Sequence, residues 1–79
     1  MKPEEAFGYV LKTIRSDQGL TQEQLAFKSN LDRTFISMLE RGLRQPSLTS
    51  ILSISTSLGI PADKLIRKTV EIMDEDHQA

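Results

Sequence analysis

Stop signals recur along this chain before any helix can grow long, and that punctuation limits its fold more than any other feature. Apolar residues at Phe7, Val10, Leu11 and Ile14 follow the i, i+3, i+4, i+7 spacing of an amphipathic helix from about Glu4 to Asp17, with Pro3 suited to its first turn. Gly8 within it costs about 1 kcal/mol relative to Ala, and Gly19 suits the left-handed position that ends a helix. Thr21 followed by Gln24 is a capping box, which predicts a second helix from Gln22 to Lys28 with Leu25 and Ala26 inward. Ser29-Asn30-Leu31 reads as a tight turn. Asp32 then caps a third helix from Arg33 to about Arg41, in which Ile36 and Leu39 share one face.

Gly42 breaks the third helix, Leu43 to Pro46 form a loop, and Ser47 caps a fourth helix reaching Leu58. Leu48, Ile51, Leu52, Ser55 and Leu58 are expected along its inner side. Gly59 stops it, and Pro61 starts a fifth helix carrying Leu65, Ile66, Val70 and Met73. Residues 74–79 are too polar to pack and are expected to fray. With no alternating strand pattern, repeat or linker, residues 1–79 read as one all-α domain of five short helices.

Seventy-nine residues without a cysteine leave apolar packing, aided by self-association, as the source of stability. Four aromatics and no tryptophan point to a core of Leu, Ile and Val. No stretch resembles a signal peptide or approaches the roughly 20 apolar residues of a membrane span, so a cytoplasmic location is expected. The net charge of -1 argues against a nucleic-acid partner only until its distribution is read. Glu71, Asp74, Glu75 and Asp76 crowd the end, and the ten basic and seven acidic residues of positions 1–70 leave +3 there.

Two short helices joined by a tight turn, the second with a polar outward face, have the form of a helix-turn-helix over about residues 21–41. Residues 20–65 carry more specific marks: Thr21-Gln22, Leu25-Ala26, the set Ile36, Ser37, Glu40 and Arg41, then Pro46-Ser47-Leu48 and Leu58-Gly59-Ile60. In these the chain resembles the Cro/CI-type (XRE) helix-turn-helix regulators, which implies a five-helix, lambda-repressor-like domain. The run from Asn30 to Ser37 is similar, within that family, to the controller proteins of restriction-modification systems.

An α-helix fits the major groove of B-DNA, and the N-terminal residues of the recognition helix meet the base edges. Arg33 has the fork for guanine O6 and N7; Thr34 can donate, accept or set its methyl against thymine; Ser37 faces the same side one turn on. Phe35 either lies against the sugar-phosphate backbone or a thymine methyl, or tucks into the side of the domain. Met38 reads as a gap-filler. Asp32 caps the helix or accepts from a cytosine amino group. Gln22 sits where free N–H groups favour an anion, and the resemblance implies a backbone contact for it. Lys28, Arg41, Arg44, Gln45 and Ser47 are further candidates for the backbone. Arg15 and Glu40 each lie beside a buried stripe and can pair between the first and third helices, a pairing the resemblance also implies.

Ile60, Leu65, Ile66, Val70 and Met73, within residues 60–73, are more apolar than an unpartnered chain end should expose, so they are the expected homodimer interface. The lone His77 sits among acids, and the serines at 47, 50, 53 and 57 have no nucleophile-elbow glycines and read as capping or solvating the fourth helix. No enzyme, metal site, cofactor or small-molecule ligand is therefore expected. The competing reading is an antitoxin or adaptor that keeps the fold as a scaffold. Such a scaffold would tolerate acids where this chain has Arg33, Thr34 and Ser37.

Overall fold

The computed structural model describes residues 1–78, which form five α-helices. They are α1 (Pro3–Asp17), α2 (Gln22–Ser29), α3 (Arg33–Glu40), α4 (Leu48–Leu58) and α5 (Ala62–Gln78). At the start of α2 the capping box closes in both directions: Gln24 N–H donates to Thr21 Oγ1 at 3.0 Å, and Thr21 N–H donates to Gln24 Oε1 at 2.8 Å. Ser29 belongs to α2 and is buried, so the turn proper starts at Asn30. Asn30 takes the left-handed conformation (φ 55°), with Leu31 N–H donating back to Ala26 O at 2.9 Å. Asparagine is among the few non-glycine residues that accept this geometry.

The core gathers Phe7, Val10, Leu11, Leu25, Ile36, Leu39, Ile54, Leu58 and Leu65, one or more from every helix. α1 crosses α3 at Gly8, and the crossing is close: a Cβ on Gly8 would lie 2.3 Å from the Leu39 carbonyl oxygen and 2.9 Å from that of Glu40. The residue that weakens α1 in isolation thus lets the two backbones meet. Beside the shared core, α2 and α4 are also joined by a hydroxyl relay. Ser29 Oγ donates to Ser57 Oγ (3.0 Å), Ser57 Oγ to Ser53 O (3.0 Å), and Ser53 Oγ to Ser29 O (2.6 Å).

Three expectations are corrected. In α4 the inner face is Ser50, Ile54, Ser55 and Leu58, while Leu48 and Leu52 are 73% and 50% exposed. In α5 the stripe toward α1 is Leu65, Thr69 and Ile72; Thr69 is buried because its hydroxyl donates to Leu65 O at 2.9 Å. The acidic end does not fray, since α5 continues to Gln78. Its apolar stripe carries the helix alongside α1, and Asp76 accepts from the Met1 ammonium at 2.7 Å. Residue 79 and the His77 side chain lie outside what is described.

Gly8→Ala raises intrinsic helix propensity by about 1 kcal/mol, yet the forced separation of α1 from α3 dominates. A net destabilisation of about 1–3 kcal/mol is expected, measured by urea unfolding; a variant as stable as the parent would refute the close crossing.

Candidate nucleic-acid interface

α3 is eight residues long and buries Ile36 and Leu39 completely. That choice fixes the opposite face. Arg33 and Thr34, in the first turn, are exposed, and Ser37, one turn on, is half-buried beside Met38. A forked cation and two hydroxyls therefore project from one patch at the start of this helix. Asp32 holds the backbone position of a cap, but its carboxylate accepts no capping bond, so the expected side-chain cap is not formed.

The other end of α3 is held by Glu40. Its carboxylate accepts from Arg15 Nε at 2.6 Å and Nη2 at 2.9 Å, and from Gln22 Nε2 at 3.0 Å. Arg15 Nη1 donates to Leu20 O at 2.7 Å. The Arg15 side chain is 12% exposed and that of Glu40 2%, so the pair is largely out of water. The hydrogen bond to Glu40 holds the Arg15 guanidinium above its already high range, against the desolvation that opposes charge. Gln22, expected at a phosphate, has one of its two amide donors directed inward to Glu40.

The cation that meets Glu40 comes from α1, so the charges near α3 keep their own balance. Along residues 28–44 the cations Lys28, Arg33, Arg41 and Arg44 are all exposed, and of the two acids there only Asp32 remains outside the buried pair. Arg41 Nε turns back to Ser37 O at 3.4 Å. Gln45 and Ser47 are exposed in the loop before α4. The Ser47 hydroxyl accepts from Ser50 N–H at 3.0 Å and donates to Ser50 Oγ at 2.9 Å, so it serves α4 as a cap.

Phe35 packs against the core on one side, and the guanidinium carbon of Arg44 stands 5.7 Å from its ring centroid. Both border a surface hollow shared with Thr34, Met38 and Phe27. Phe27, 89% exposed, is an aromatic the sequence reading passed over. The signal was present: with Leu25, Ala26 and Ser29 facing inward, helical spacing leaves position 27 outward.

The expected interface between copies divides. Leu65 is a core residue, 1% exposed, and offers no free surface, while Ile60 is half-buried against the core. Leu65 precedes Ile66 by one position, which places the two on different faces of α5. Ile66 and Val70 are 43% and 47% exposed and one turn apart; Met73 is half-buried.

Comparison with known proteins gives this geometry a context. The helix-turn-helix model HTH_3 matches residues 11–65. Control protein C.BamHI of Bacillus amyloliquefaciens is 46% identical over 66 residues, which cover 81% of this chain and 82% of that protein. The immunity repressor protein of Bacillus phage phi105 is 35% identical over 68 residues, 86% of this chain, but the chain spans only 47% of that repressor's length. The restriction-modification controller protein C.Esp1396I, crystallised as a tetramer with its natural 35 base-pair operator, superposes with a TM-score of 0.81 at 35% identity. That likeness covers 91% of this chain and 95% of the other.

Glu40→Ala strands the Arg15 guanidinium and is expected to cost about 3–5 kcal/mol. The double substitution Arg15→Met with Glu40→Leu should recover most of that loss, because no buried charge remains. Thermal unfolding of the three proteins checks both statements.

Proposed function

The chain belongs to the helix-turn-helix family HTH_3, and from that premise we infer that it is a DNA-binding transcriptional regulator that reads a pseudo-palindromic operator as a homodimer. The observation that carries this reading is the exposed first turn of α3, where Arg33 and Thr34 stand free of the core with Ser37 behind them. Arg33 reads guanine O6 and N7, and Thr34 and Ser37 read the neighbouring base edges. Lys28, Arg41 and Arg44, with Gln22 and Gln45, anchor the backbone on either side. The similarity to C.BamHI and C.Esp1396I supports control of restriction-modification genes. The protein acts in the cytoplasm by binding, without catalysis. Among the described residues no helix is long and apolar enough to cross a membrane, and no three potential metal ligands converge.

The target follows from symmetry. Two recognition helices in successive major grooves require half-site centres about 34–36 Å apart. Selection from random duplexes should return a dyad of that spacing. Arg33→Ala should lose about 1–3 kcal/mol on the selected site and relax preference at one base pair per half-site. If Arg33→Ala retains wild-type preference, α3 does not read the bases, and a protein-interaction module becomes the better account.

Ile66 and Val70, with Met73 at their edge, supply the contact between copies. Val70→Glu places a charge in that contact and should raise the dimer dissociation constant about tenfold or more. Sedimentation at tens of micromolar protein checks this, and an unchanged dimer would move the interface elsewhere.

A further inference from the structure

We propose that Phe35 is a positioning residue for DNA binding: its ring orients the Arg44 guanidinium toward the nucleic-acid backbone, and it makes no essential contact with DNA itself. The proposal rests on the function inferred above and adds a specific device to it. The path of the loop carrying Arg44 is fixed at both ends. Leu43 N–H donates to Met38 O at 2.9 Å, and Ser47 caps α4 through Ser50 N–H at 3.0 Å. What remains loose is the Arg44 side chain, which is exposed and makes no hydrogen bond or ion pair among the described residues.

A long exposed cation of this kind normally loses rotamer freedom when it meets a phosphate. Here an aromatic face limits that freedom in advance. At 5.7 Å from the ring centroid the guanidinium lies within the range of cation–π attraction. This attraction is electrostatic and uses up none of the guanidinium's N–H donors, which remain for an acceptor. Phe35 is itself held, because its other side packs against the core. Core, ring and cation thus follow one another, and the cation shares a hollow with Thr34, the residue next to Arg33.

The alternative role for Phe35, direct contact with a sugar or a thymine methyl, makes an opposite prediction in a double-mutant cycle. Phe35→Leu keeps an apolar filler and removes the aromatic face; Phe35→Tyr keeps both face and filler. Phe35→Leu should weaken binding to cognate and scrambled duplexes alike by about 2- to 5-fold per protomer, and Phe35→Tyr should bind as the parent does. Arg44→Ala should weaken all duplexes and flatten the salt dependence. In the Arg44→Ala background, Phe35→Leu should cost nothing more. In the free protein the Arg44 side-chain protons should be shifted upfield by the ring current, and Phe35→Leu should abolish that shift. This magnetic resonance test on the parent needs no variant to fold, and an absent shift overturns the proposal.

Equal losses from Phe35→Leu with and without Arg44 would show that Phe35 touches DNA on its own account and would overturn the proposal. If Arg44→Ala weakens binding and Phe35→Leu does not, the positioning role alone fails. If Arg44→Ala binds every duplex as the parent does, the assignment of Arg44 to the backbone fails, and the positioning role falls with it.

Discussion

The carboxylate of Glu40 is the point on which the site depends. It draws Arg15 from α1 and Gln22 from α2 onto the last turn of α3, and Arg15 reaches past it to the carbonyl of Leu20 in the connecting turn. Buried ion pairs contribute little net stability when desolvation is counted, but they penalise every arrangement that separates the partners. That penalty suits a helix whose outer face must keep one orientation. Gly8 acts at the same place, since the carbonyls of Leu39 and Glu40 are the ones that α1 approaches so closely. At the opposite end α3 is set by Asn30 and the bond from Leu31 to Ala26. With both ends fixed, the direction of Arg33 and Thr34 follows from the fold.

Much of this architecture was legible because helix boundaries are written in local chemistry. Thr21 with Gln24, Ser47 and Gly59 each satisfy terminal backbone groups in ways that need no tertiary information. Facing directions were less legible where serine and threonine replace aliphatic residues. In α4 the positions 48, 51, 52 and 55 form as good an apolar stripe as 51, 54, 55 and 58. Only packing selects the second, with Ser50 and Ser55 small enough to be buried beside it. In α5 the true stripe includes Thr69, which reads as polar until its hydroxyl is seen bonded to its own helix. The acidic tail looked unable to fold for a related reason: its local composition is poor, and the support comes from α1 alongside.

The site shows the same division. The outward placement of Arg33 and Thr34 was legible because Ile36 and Leu39 claim the inward face, whereas their reading as base contacts, with Ser37, came from the helix-turn-helix form and the place of a recognition helix in it. The Arg15–Glu40 pair was visible as two charges beside apolar stripes, and the two bonds between them bear that reading out. Arg44 above Phe35 had no such signal, because nine positions across a helix end and a loop obey no period. Phe27 was overlooked for a different reason. Aromatic residues are so regularly assigned to cores that an outward one needs the facing of its neighbours to be worked out first.

The hydroxyl relay between α2 and α4 has a consequence for motion. α2 contributes Leu25, Ala26 and Ser29 to the interior, and beside the core its contact with α4 includes the bonds among Ser29, Ser53 and Ser57. Net hydrogen bonds of this kind contribute about 0.5–1.5 kcal/mol each, well below what a row of buried leucines provides. The expected outcome in a hydrogen-exchange measurement is that the amide protons of α2 exchange through partial openings before those of α1 and α5. Any ligand gripping the outer side of α2 and α3 closes those openings by mass action. Slowed exchange confined to α2 is then a signature of occupancy that is independent of which bases are read.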